Sequence, residues 1–161
     1  MSDKAKVTSV TVEESVSQSR IVLRDVATAY EGTGKSSLNN PAKMHRVLWD
    51  AVYADSPNEQ FAMCTLSTNL TLQKIIVIGV GGLASCSVDV RRIFQAALLD
   101  NAAAIVLAHN HPSGNPEPSR EDIRITRQIS EAGKLLNVNV VDHIIMTGCD
   151  SYTSLVERGV L

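Results

Sequence analysis

The chain has 161 residues, enough for one compact domain with a short appendage, and its 44% hydrophobic content is that of an ordinary globular protein. A net charge of −2 without a basic stripe, and only two Phe, three Tyr and one Trp, argue against sequence-independent nucleic-acid binding by this chain alone. The longest apolar run, KIIVIGVGGLA, is too short for a bilayer and MSDKAKVTSVTVEESV lacks the hydrophobic centre of a secretory signal, so a cytoplasmic protein with no membrane contact is expected.

Residues 1 to about 20 are rich in Ser, Thr, Val and Glu, and SRIVLRDVATAY beyond them can make a strand. Residues 1–40 are read as an N-terminal extension and 41–161 as the domain, with the turn-rich EGTGKSSLNN as linker. Gly34, Lys35 and Ser36 imitate the end of a phosphate loop, but Ala29 stands where the first glycine is needed and SSLNNP cannot open the required helix. Asn40 before Pro41 marks a helix start, and Met44, Val47, Leu48, Ala51 and Val52 recur at helical spacing over about 41–54. EQFAMCTL and LQKIIVIGV read as a strand hairpin across STNL, and GVGGLASC as a glycine-rich exit. A helix is expected from Ser87 to near Asp100, with Val90, Phe94, Ala97 and Leu98 as its apolar stripe. Then come a buried strand, AAAIVLAH, and a helix over SREDIRITRQISEAGKLLN carrying Ile123, Ile129, Ala132 and Leu136 on one flank. A strand, VNVVDHIIM, and a short terminal helix from about Ser151 complete the series. This order predicts an α/β fold with a mixed sheet and helices on both faces. Cys64, Cys86 and Cys149 show neither C-x-x-C spacing nor a disulfide framework and read as small buried hydrophobes.

Two of the four histidines, His109 and His111, fall two residues apart at the end of an apolar strand. Alternation along a strand turns both imidazoles to one side, a two-pronged grip for a metal ion. Zinc takes N, O or S ligands at about 2.0–2.3 Å, and a catalytic site keeps one position open for water. Asp122 follows His111 after ten residues of turn-rich chain and completes a ligand trio. It also stands at the third helical position after Ser119, which alone would explain both residues as a helix cap. A water activated at such a site needs a base, and Glu59, Glu117 and Glu121 are the candidates that spacing leaves open. His143 could be a fourth ligand, which would close the site, but a supporting or core position suits it better, with Asp142 orienting it or a ligand imidazole.

The spacing His109, x, His111, seven residues, Ser119, two residues, Asp122 matches the JAMM motif of JAB/MPN zinc metalloproteases. ALLDNAAAIVLAHNHPSGNPEPSREDIRIT with VVDHIIM downstream resembles the RadC family over roughly residues 41 to 161. The resemblance implies a three-layer α/β/α sandwich related to cytidine deaminases, with His109, His111 and Asp122 as zinc ligands. It also implies Glu59, from the matching NEQFAMCTL segment, as general base and Ser119 as an oxyanion donor. The activity implied is metallopeptidase or isopeptidase hydrolysis of a peptide or protein substrate, and the family name implies association with a DNA-repair complex. Two departures stand out: no helix-hairpin-helix region fits the first 40 residues, and VDVRR replaces the usual PRE before Ile93.

Three rivals remain: a deaminase, disfavoured because P-C-x-x-C and H-x-E are missing; a metal-stabilised, non-catalytic binding module of a DNA-processing complex; and a thiol enzyme pairing Cys86 or Cys149 with His143. The polar N-terminal strand offers an edge through which a homo-oligomer could form.

Overall fold

The computed structural model describes residues 22–24 (backbone only), 37–54, 57–80 and 88–161. The Gly34–Lys35–Ser36 stretch, most of the expected linker, the glycine-rich exit from 81, Cys86 and Ser87 lie outside the described residues.

The elements are β1 (Val22–Arg24), α1 (Pro41–Leu48), β2 (Gln60–Leu66), β3 (Leu72–Val80), α2 (Val90–Leu99), β4 (Ala104–Asn110), α3 (Arg120–Leu136), β5 (Asn139–Gly148) and β6 (Ser151–Ser154). Among the described residues six strands form one sheet in the order β1-β3-β2-β4-β5-β6, in which β4 and β5 are the parallel pair. The mixed α/β fold expected from the sequence is present.

Strand alternation divides the core in two. Ala62, Cys64, Leu66, Val106, Ala108, Ile144 and Met146 pack under α1 with its Met44, Val47 and Leu48. Phe61, Met63, Ile105 and Leu107 face the other way, against Ile93, Phe94 and Ala97 of α2 and Ile125 and Ile129 of α3. Helices therefore cover both faces, giving three layers.

Local chemistry explains the elements. Asn40 Oδ1 accepts from Lys43 N at 2.9 Å and Pro41 opens α1, whose wider continuation Trp49–Tyr53 ends with Tyr53 Oη donating to Ala108 O at 2.9 Å. The β2–β3 turn closes with Leu70 N donating to Ser67 O at 2.9 Å. Asp89 caps α2, and the buried stripe runs through Ile93, Phe94 and Ala97, leaving Leu98 half exposed instead of packed. On α3 the stripe is Ile125, Ile129 and Gly133, and Leu136 faces solvent.

Two further expectations are corrected. No terminal helix starts at Ser151: Ser151–Ser154 returns as β6, antiparallel to β5, and turns follow. Cys64 is buried as expected, but Cys149 is exposed in the β5–β6 turn. Among the described residues no helix is long and apolar enough to cross a membrane.

Candidate metal centre

Parallel strands need a crossover, so the chain leaving β4 must climb over the sheet through α3 before β5 can pair. That route brings the start of α3 back beside the end of β4. His109 projects from β4 on the α2/α3 face, in line with Ile105 and Leu107, and His111 follows one residue past the strand. Phe61, paired with His109 across β2 and β4, stacks near its ring at 6.2 Å between centroids.

At the head of α3, Ser119 Oγ accepts from Asp122 N at 3.1 Å and Asp122 Oδ2 accepts from Ser119 N at 2.6 Å. The capping box foreseen as a competing explanation is thus present, but it uses only one carboxylate oxygen. Oδ1 is buried 3.2 Å from His109 Nε2 and has no hydrogen bond. Oδ2 lies 3.6 Å from His111 Nε2, and the two Nε2 atoms are 2.9 Å apart. His111 Nδ1 sits 2.7 Å from Asn115 O, which can only accept, so Nδ1 carries a proton and Nε2 is the nitrogen that the ring, when neutral, offers bare to the site. All three ligand atoms fall within 4.8 Å of one another.

This arrangement passes the test of fit for a divalent cation. A buried carboxylate oxygen lacking a donor is costly unless something positive meets it. Two imidazoles and a carboxylate are also a donor set suited to zinc among other metals. Among the described residues, His109, His111 and Asp122 form the group able to hold a metal ion. Burial pushes the Asp122 carboxyl upward, and the hydrogen bond it accepts from Ser119 N opposes that push. Asp122 in turn raises His111, against the opposing effect of burial, and Glu59 contributes in the same direction.

The three candidate bases have different surroundings. Glu117 is held by Arg158, with both oxygens 2.9 Å from its guanidinium, and Glu121 pairs with Arg124; both face solvent. Glu59, one residue before β2, is the one whose charge acts on His111. Asn110, lying between the two histidines in sequence, grips the backbone on either side of Glu59: its Oδ1 accepts from Gln60 N at 2.7 Å and its Nδ2 donates to Asn58 O at 3.2 Å.

His143 is no fourth ligand. Its Nε2 lies 2.8 Å from His109 Nδ1 and its Nδ1 2.6 Å from Thr126 Oγ1, which also disposes of a pairing with Cys149. Burial, aided by His109, pushes His143 well below the ordinary imidazole range. Asp142 does not orient an imidazole: it accepts from His143 N at 2.7 Å, Ser154 Oγ at 2.6 Å and Val156 N at 3.1 Å, tying β5 to the C-terminal turn. Asn110 and Thr126 were missed from sequence. The polar residue between two ligand histidines was the one visible signal, since Thr126 is recognisable only once α3 lies against β5.

Comparison with known proteins places the chain among relatives. A protein named UPF0758 protein from Salinibacter ruber is 50% identical over 107 residues, 66% of this chain and 46% of its own length. Its namesake from Desulfitobacterium hafniense is 43% identical over 125 residues, 77% of this chain and 54% of its own. That from Methanosarcina mazei is 35% identical over 125 residues, 78% and 54% respectively. The chain spans about half the length of the curated relatives it matches. The family profile described as RadC-like JAB domain matches residues 38–160, taking in α1, the sheet from β2 onward and every side chain of the site, and the chain therefore belongs to that family.

Proposed function

We propose that this chain is a zinc-dependent hydrolase of amide or isopeptide bonds in peptide or protein substrates, with Glu59 as general base and Ser119 as oxyanion donor. One observation carries the reading: the buried Asp122 Oδ1, without a hydrogen-bond donor, lies 3.2 Å from His109 Nε2, itself 2.9 Å from His111 Nε2, where a cation would satisfy all three. His109, His111 and Asp122 would hold the ion. When bound, zinc supplies a Lewis acid for a carbonyl and lowers the pKa of water from 15.7 toward about 7.

The remaining steps belong to the protein. Glu59, kept in place by Asn110, receives the proton released by the attacking water and passes it to the leaving amine. Ser119 Oγ accepts from Asp122 N in the helix cap, which leaves its hydroxyl proton to donate to the carbonyl oxygen as negative charge builds there. The proposed setting is a DNA-repair complex reached through protein contacts, since the net charge of −2 provides no basic stripe for DNA.

Elemental analysis should find about one zinc per chain, lost when His109 is replaced by Ala. Glu59→Gln should keep fold and zinc yet lose about 10²–10⁴-fold in hydrolysis of a peptide and isopeptide substrate panel. A zinc-loaded Glu59→Gln protein as active as wild type would overturn the assignment of the base. Zinc binding without any hydrolysis, together with retained function in Glu59→Gln, would favour a metal-stabilised binding module.

A further inference from the structure

We propose that Thr126 and His143 are positioning residues that lock the tautomer of His109, so that its Nε2 always enters the metal site as a bare lone pair. The inference rests on the metal reading of the site and extends it to two residues that touch neither metal nor substrate.

The direction of the lock follows from one group that cannot donate. Thr126 Oγ1 lies 2.6 Å from the backbone oxygen of Asp122 and 2.6 Å from His143 Nδ1. A peptide carbonyl only accepts, so the hydroxyl proton points to Asp122 O, as threonines in helices commonly bond four residues back. The hydroxyl must then accept from His143, which places that ring's proton on Nδ1. The wholly buried, neutral ring is left with a lone pair at Nε2, 2.8 Å from His109 Nδ1. His109 therefore donates from Nδ1 and presents an unprotonated Nε2 at 2.9 Å from His111 Nε2 and 3.2 Å from Asp122 Oδ1. His111 is fixed separately, through Asn115 O. Both locks end on backbone carbonyls, whose acceptor character no proton can reverse. Asp122 serves at both ends of the longer one, through its carbonyl and its carboxylate.

A single hydroxyl thereby governs a tautomer two rings away. With Val at position 126, His143 Nδ1 loses its acceptor and its proton is better placed on Nε2. That N–H then donates to His109 Nδ1, and the His109 proton moves to Nε2, where it occupies the lone pair a metal needs. Packing alone makes the opposite forecast: Thr126→Val keeps the side-chain shape, whereas Thr126→Ser keeps the hydroxyl and loses a methyl group.

The test reads metal affinity and ring protonation. Zinc affinity would be measured by competition with a chromophoric chelator for wild type, Thr126→Val and Thr126→Ser. The imidazole nitrogens of His109 would be assigned by ¹⁵N NMR in the metal-free wild type. The expected result is a pyrrole-type Nδ1 and a pyridine-type Nε2 on His109, a 10–100-fold loss of zinc affinity in Thr126→Val, and rescue in Thr126→Ser. Equal affinity in wild type and Thr126→Val, loss in Thr126→Ser as large as in Thr126→Val, or a proton on His109 Nε2 would overturn the lock. A wild type that binds no zinc overturns the metal reading itself, so the two failures are distinguishable.

Discussion

Asp122→Asn separates the two duties that one carboxylate performs. The amide retains an oxygen to accept from Ser119 N, where Asp122 Oδ2 now sits at 2.6 Å. Its Nδ2 takes the place of Oδ1, which lies 3.2 Å from His109 Nε2 without a donor. A buried orphan acceptor thus becomes half of a donor–acceptor pair, a net gain of about 1 kcal/mol set against the lost attraction between carboxylate and His111. Metal-free stability should therefore stay within about 1 kcal/mol of wild type. The cation site, however, gains a hydrogen where it needs a lone pair and loses its only negative ligand. At free zinc a thousandfold above its dissociation constant, the wild type should gain about 4.1 kcal/mol in urea unfolding and the variant almost nothing. Equal zinc stabilisation in both proteins would refute the ligand assignment. A metal-free loss of several kcal/mol would show that Asp122 is a structural anion instead.

Two further expectations concern stability. Gly133→Ala should destabilise by about 1–3 kcal/mol in thermal or urea unfolding, despite alanine's helix propensity, because the added Cβ would lie 2.4 Å from Val138 O; a gain in stability would show that the backbone at Val138 can yield. Burial raises the Asp142 carboxyl above its ordinary value, against hydrogen bonds that lower it. The folded state thus binds that proton more tightly than the unfolded chain, and the ionised form weakens folding above the unfolded pKa of about 3.9. Wild type should gain stability relative to Asp142→Asn as pH falls from 7 toward about 4, measured by urea unfolding at each pH, and a constant difference would contradict the shift.

The parts legible in the sequence were those written in local chemistry. Asn40–Pro41 and the Ser119–Asp122 box announce helix starts by short-range hydrogen bonding, and the apolar run before His109 announces a buried strand. Two-residue spacing then put His109 and His111 together without knowledge of the fold. What failed depends on partners distant in sequence. Ser151–Ser154 is a strand because the edge of β5 is there to pair with it, whereas the apolar spacing of Tyr152, Leu155 and Val156 suits a helix equally well. Leu98 fits a helical stripe by number, but α2 meets the sheet through Ile93, Phe94 and Ala97. Spacing also left Glu59, Glu117 and Glu121 level, and the pairing of Glu117 with Arg158 and of Glu121 with Arg124, like the action of the Glu59 charge on His111, appears only in the folded chain.

The register of β2 against β4 runs from Phe61 opposite His109 to Leu66 opposite Ala104, so the two clustered histidines sit at one end of the sheet and the Ser67–Leu70 hairpin turn projects from the other. At about 3.3 Å per residue, the strands hold that turn roughly 20 Å from the imidazoles. Peptide tags, fluorophores or surface tethers therefore have a natural graft point at Thr68 and Asn69, a handle on the molecule that leaves the candidate metal centre at the opposite pole undisturbed.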